Sequence, residues 1–225
     1  NLHSSHVGKN FQDHLGLDYL YKTYFPTLNK DLGTWGGRVR SFLQYVYNRK
    51  GPFSLSLNQG GGYVNWKSLD PYPNIQLYFN PLTYSVSFKN KRPLLRTDKF
   101  NGFIIGFNSC RPKSLGEVNL KKVNNDYVPS IDPRYLSDER DIHDLYSIFD
   151  FVRKFSLNKN IKNIIKSPVN IDPIKLSDDE LLSHFKSNAT TVYHPCGTCR
   201  MSKEVNTGVV SEKLKVHGFD NLWIV

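Results

Sequence analysis

Cysteine is scarce in these 225 residues, and what there is falls at Cys110, Cys196 and Cys199. That is too few and too uneven for the disulfide framework of a secreted domain this large, so a reducing compartment, the cytoplasm or the periphery of a membrane, is expected. No apolar run approaches the ~18 residues that a membrane-spanning helix needs. Methionine occurs once, at Met201, so no initiator opens the chain. The opening NLHSSHVGKN also has neither the apolar core nor the small-residue cleavage site of a signal peptide. At the other end NLWIV stops inside an apolar, β-type run, and the expectation is an internal piece of a longer polypeptide. There is no internal repeat and no low-complexity tract.

What is present suits a folded chain. Hydrophobic residues make up 39% and aromatics 13%, enough for one sizeable core or two small ones. The net charge of +10 raises the question of an anionic partner. The cations are spread from Lys9 to Lys215, however, and the densest run, RKFSLNKNIKNIIKS (Arg153 to Ser167), reads as a solvated surface segment. No nucleic-acid partner is expected.

Periodicity gives a coarse architecture. Val39, Phe42, Leu43 and Val46 recur at i, i+3, i+4 and i+7, one apolar helix face closed by Gly51 and Pro52. Strand-like alternation follows in FSLSL (Phe53 to Leu57) and NIQLYFN (Asn74 to Asn80), with further candidates at Tyr84 to Phe88, Phe103 to Phe107 and Gly116 to Val123. Because these runs succeed one another with little helix between them, an antiparallel sheet is expected. The second half turns helical. Ile142, Leu145, Phe149 and Val152 form a stripe behind a Ser137 N-cap. Ser177 and Glu180 have capping-box spacing ahead of Leu181, Leu182 and Phe185, and Pro168 and Pro173 mark a loop between the two helices.

One stretch concentrates reactive side chains: TTVYHPCGTCRMS, Thr190 to Ser202. As a metal site it offers His194, Cys196 and Cys199, but no second spaced pair supplies a fourth ligand. As a thiol pair, Cys196-Gly-Thr-Cys199 lacks the following helix whose dipole would lower a thiol pKa. As a proton-handling site it has His194 before Pro195, a position pushed toward extended backbone, and Gly197, which permits a tight turn or a close approach to a flat ligand. An imidazole titrating near ~6.5 suits proton transfer at neutral pH. The bland alternative is a buried histidine satisfied by hydrogen bonds.

HPCGTCRM, with GVV, LKVHG and NLWIV after it, resembles the C-terminal signature of the glucose-methanol-choline (GMC) oxidoreductases. Upstream, VGKNFQDHLG (Val7 to Gly16) is similar to the segment by which that family's flavin domain hands over to its substrate domain. KGPFSLSLNQGGGYV, PNIQLYFNPLTY and RPKSLGEVNL resemble the choline-dehydrogenase-like branch. Departures are Phe11 for Leu, Leu115 for Arg, Ser202 for Gly and Ser211 for Asp, and none touches His194.

The resemblance implies an α+β fold, an antiparallel sheet flanked by helices, with partial segments of an FAD-binding Rossmann-like domain. Residues 1–15 would be a remnant of that domain, 16–187 the substrate domain, and 188–225 the return to the flavin domain. It further implies FAD as cofactor and an alcohol, choline or a related primary alcohol, as substrate. The electron acceptor would be a quinone, oxygen or a carrier protein. His194 falls on the active-site base, while Cys196 and Cys199 become packing residues. Asn10, Asp13 and His14 would lie near the cofactor or shape a turn; Gln59 and Asn80 would line the alcohol pocket. The family's G-x-G-x-x-G phosphate cradle and its second catalytic His or Asn do not occur in these residues, so the chain by itself is expected to be inactive. The competing expectation is a non-catalytic binding module that keeps the scaffold.

Overall fold

Alternating side chains and local caps account for most elements of the computed structural model, which describes residues 4–87 and 94–225. In chain order these are β1 (Leu15–Thr23), α1 (Leu28–Leu32), α2 (Trp35–Asn48), a 3-10 turn (Pro52–Ser54), β2 (Gly60–Val64), β3 (Ile75–Asn80), β4 (Tyr84–Ser87) and β5 (Leu94–Thr97). Then come β6 (Gly102–Ser109), β7 (Glu117–Val123), β8 (Asp126–Asp132), α3 (Glu139–Leu157), α4 (Lys159–Ile164), β9 (Ile165–Pro168), α5 (Asp178–Asn188) and β10 (Thr190–Thr191). They form two compact units. One holds Gly16–Cys110 and Asp144–Ala189; the other holds Arg111–His143 and Thr190–Val225 with the residues before Gly16.

The first unit is built on an antiparallel sheet in the order β1-β6-β3-β2, with β9 also paired to β1. Its central strand β6 is buried on both faces, which is why Phe103 to Phe107 is a nearly unbroken apolar run. One face carries Leu17, Tyr19, Tyr21, Ile75, Phe103 and Phe107, and α3 packs across it. Phe151 meets Phe107 at 6.0 Å and Trp66 at 5.5 Å, and Tyr21 Oη shares a 3.1 Å hydrogen bond with Ser156 Oγ. Leu145, Ile148, Phe149 and Val152 are all at most 3% exposed, each stabilising the unit by about 1.5–3 kcal/mol. Phe185 of α5 closes on Phe149 at 6.4 Å. The Ser177–Glu180 capping box is present, and α5 buries Leu181 and Phe185, while Leu182 is half-buried.

In the second unit β7 and β8 form a hairpin turned by Asn124 at φ 56°. Asp141 organises its neighbourhood. Buried to 4% exposure, its carboxylate accepts the main-chain N–H of Lys113 (2.7 Å) and Ser114 (2.8 Å) and the Ser114 hydroxyl (2.5 Å).

Several expectations are corrected. Phe53 to Leu57 is no strand: Ser54 and Leu55 donate to Gly51 and Pro52 in the 3-10 turn, so no ladder partner is needed. The cap of α3 is Asp138, which accepts the Arg140 N–H at 3.0 Å, one residue later than Ser137. Phe88, the expected end of β4, lies outside the described residues.

Candidate active site

The stretch around His194 is held by the segment before β1. Residues 8–14 run between two partners within one unit. On one side Phe11 and Gly116 exchange backbone hydrogen bonds of 3.0 and 2.9 Å, and Val118 N–H donates to Gly8 O at 2.7 Å. On the other, Gln12 and Cys196 exchange bonds of 2.9 and 2.8 Å, Gly8 N–H donates to Thr198 O, and Val192 N–H to His14 O. VGKNFQDH and HPCGTC, some 180 residues apart in sequence, are thus neighbouring extended segments.

Gly197 makes this approach feasible. Its φ is +89°, and a Cβ there would lie 2.0 Å from the Asn10 carbonyl oxygen. Gly197→Ala is therefore expected to destabilise the unit by more than about 2 kcal/mol, combining left-handed strain with a backbone clash. A urea unfolding midpoint indistinguishable from wild type would contradict this. Asn10 itself adopts φ 59° and is half-buried.

The central polar feature is Asp13, 7% exposed. Its Oδ1 accepts the main-chain N–H of His14 (2.9 Å) and of His194 (3.0 Å), and its Oδ2 accepts the Tyr135 hydroxyl (2.9 Å) and the Thr191 hydroxyl. A carboxylate has about four acceptor sites, and all four are used. Burial alone would raise this carboxyl, but the hydrogen bonds from Thr191, Tyr135, His194 and His14 outweigh it and hold it below the ordinary range. Burial, followed by the bond to Asp13 and its charge, pushes Tyr135 up to about 12.

A depressed carboxyl pKa contributes stability above the unfolded-state value, and that contribution is lost as pH falls through the folded-state value. The melting-temperature gap between wild type and Asp13→Asn should therefore be constant above about pH 5 and shrink below about pH 4. A gap that persists unchanged to acid pH would contradict the charged clamp.

The clamp fixes the main chain of His194 while leaving its ring exposed. Tyr193 takes φ 61°, its N–H donating to Thr191 Oγ1 at 2.9 Å. The His194 imidazole stands edge-on to His14, with centroids 5.9 Å apart and planes at 90°. In this chain, then, the ring is not buried. Cys199 packs against the Val209, Val210 and Val216 cluster as expected, but the Cys196 side chain is exposed, because only its backbone is engaged with Gln12. None of the three cysteines is in a disulfide, and among the described residues no group of His, Cys, Asp or Glu is placed to hold a metal.

Gln59 and Asn80 belong to the sheet-bearing unit. Gln59 precedes β2 and is exposed; its N–H donates to Phe79 O at 2.9 Å, and its side-chain amide donates to Ser56 O at 3.4 Å. Asn80 is 2% exposed at the end of β3, its Oδ1 without a partner among the described residues. The same sheet face carries a pair that periodicity does not single out. Tyr78 donates to Asp18 Oδ1 at 2.6 Å, lying across Gly106, where a Cβ would sit 1.8 Å from the ring. Burial raises the Asp18 carboxyl, and the Tyr78 donor only partly offsets that.

This sheet and its helices are shared with solved flavin-enzyme structures. Formate oxidase from Aspergillus oryzae RIB40 superposes with a TM-score of 0.81 at 23% identity, over 98% of this chain and 42% of that one. A fungal aryl-alcohol oxidase gives 0.71 at 18%, over 99% and 44%. The chain belongs to the GMC oxidoreductase family, whose family model, described as GMC oxidoreductase, matches residues 112–225. Among curated relatives, the alcohol dehydrogenase [acceptor] of Pseudomonas putida is 31% identical over 220 residues, 97% of this chain and 39% of that protein. The oxygen-dependent choline dehydrogenase of Cronobacter sakazakii is 27% identical over 97% of this chain and 38% of its own length. The chain therefore spans well under half of the relatives it matches.

Proposed function

We propose that the whole polypeptide oxidises an alcohol, choline or a related primary alcohol, to the aldehyde with FAD, and that His194 receives the hydroxyl proton. The observation that carries this reading is the Asp13 clamp, which immobilises the His194 backbone and leaves the imidazole exposed beside His14. The names of the Pseudomonas and Cronobacter relatives support the substrate class.

The residues fit a flat cofactor at one edge. The space beside Gly197 is taken by the Asn10 carbonyl oxygen, so what this unit offers a ligand is the exposed His194 ring, whereas Asp13 has no acceptor capacity left for one. In this reading Asp13 is a positioning residue, and Asn10 shapes the turn that Gly197 approaches. When bound, FAD supplies the acceptor for the hydride that leaves the alcohol carbon. The chain's own part is to hold His194 Nε2 or Nδ1 where the hydroxyl proton departs as the C=O bond forms. Gln59 and Asn80 are assigned to the alcohol side. The electron acceptor is a quinone, oxygen or a carrier protein.

The test is anaerobic mixing of the full-length, FAD-loaded polypeptide with choline and a series of primary alcohols, followed by flavin absorbance. Bleaching by at least one alcohol is expected, and flavin that stays oxidised with all of them would refute the reading. The 225-residue chain alone is expected neither to retain FAD nor to turn over.

A further inference from the structure

Helix α2 is packed with its apolar stripe outward. Thr34 caps its start by accepting the Gly37 N–H at 3.1 Å, and Ser41 is its one buried residue. Gly37 lies so close to α1 that a Cβ would be 2.0 Å from Asp31 O. At about 100° per residue, Gly37 and Ser41 mark the inward side, and Trp35, Val39, Phe42, Leu43 and Val46 fall within an arc of roughly 100° away from it. Trp35 is 80% exposed, Phe42 56%, Leu43 60% and Val46 53%, with Tyr47 at the border at 90%. A contiguous stripe of this kind marks a docking surface.

Charge selects the occupant. Residues 28–57 carry five cations, Lys30, Arg38, Arg40, Arg49 and Lys50, against one acid, Asp31, which pairs with Arg40. By the same helical spacing Arg38, whose guanidinium donates to Leu32 O (2.6 Å) and Thr97 Oγ1 (2.8 Å), borders one edge of the stripe and Arg40 the other; Arg49 follows as the left-handed C-cap with its guanidinium 5.1 Å from the Tyr45 ring centroid, and Trp35 and Tyr47 stand near the two ends. Aromatic ends, an apolar centre and basic borders are the pattern of a helix that lies in a membrane interface. We propose that α2 docks the protein on an anionic bilayer surface, its stripe entering the boundary between headgroups and acyl chains. Phe53 and Leu55, both about half exposed, extend that surface into the following turn.

The test is cosedimentation of the full-length, FAD-loaded polypeptide with phosphatidylcholine vesicles, with and without ~30% phosphatidylglycerol. Binding to the mixed vesicles is expected, weakening in ~0.5 M salt as screening shortens the reach of the cations. Phe42→Glu with Val46→Glu should lower partitioning at least ~10-fold without changing melting temperature or oligomer mass, since both side chains face water. Arg49→Glu with Lys50→Glu should reduce binding to the mixed vesicles alone. Absence of wild-type binding, or equal binding by either double variant, overturns the proposal. A lower melting temperature or altered mass in the Phe42/Val46 variant also overturns it, because protein would then be covering the stripe.

Discussion

Replacing His194 by Ala in the full-length, FAD-loaded polypeptide is expected to slow anaerobic flavin reduction by alcohol by ~10²–10⁴-fold, the usual worth of a positioned general base. The fold should tolerate the change. The ring is exposed and its described contact is the edge-on one with His14, whereas the clamp uses the main-chain N–H, which alanine keeps. The loss should therefore fall on the rate of reduction more than on the alcohol concentration that half-saturates it, as for an interaction made chiefly in the transition state. Stopped-flow traces over a range of alcohol concentrations separate the two. An unchanged limiting rate would remove His194 from its role.

Asp13→Asn is expected to do two things at once. An amide presents one oxygen where the carboxylate has two, so either the hydroxyls of Tyr135 and Thr191 or the N–H groups of His14 and His194 lose their acceptor and face an N–H₂ instead. Charged hydrogen bonds of this kind are worth about 1.5–3 kcal/mol each, and leaving buried donors unpaired adds to the loss, so destabilisation of about 2–4 kcal/mol is expected. Flavin reduction should slow as well, by ~10–10²-fold, because the base is no longer held in place. Denaturant unfolding and the reductive rate measure the two effects independently. If Asp13→Asn were as stable as wild type, the clamp would carry little energy.

Some of this was legible before any coordinates. Ser177 and Glu180 announce the start of α5, and the stripe Leu145, Phe149, Val152 announces α3, because caps and helix faces are local and periodic. β1 escaped the pattern: Leu17, Tyr19 and Tyr21 alternate toward the core, but Leu20 on the other face blurs the period of two. Phe53 to Leu57 fails in the opposite sense, because alternation without a neighbouring strand to pair with gives no sheet. The apolar face of α2 was visible, but its direction was not, since periodicity says which residues share a side and not which side the chain packs against.

The candidate site divides the same way. His194, Pro195 and Gly197 stand out as residue types in one short run. The clamp does not, because Tyr135 lies 122 positions from Asp13 and Thr191 lies 178. No local pattern links donors at that separation; only the resemblance to a family relates Val7–Gly16 to His194–Met201.

The most direct test is the reductive rate of the Asp13→Asn/His194→Ala double variant beside the two single variants. If Asp13 acts on the chemistry through the placement of His194, the double variant should be no slower than His194→Ala alone, because a base already removed cannot be misplaced. A double variant slowed by the product of the two single losses would show that the two residues act separately, and the clamp would not be how this protein positions its base.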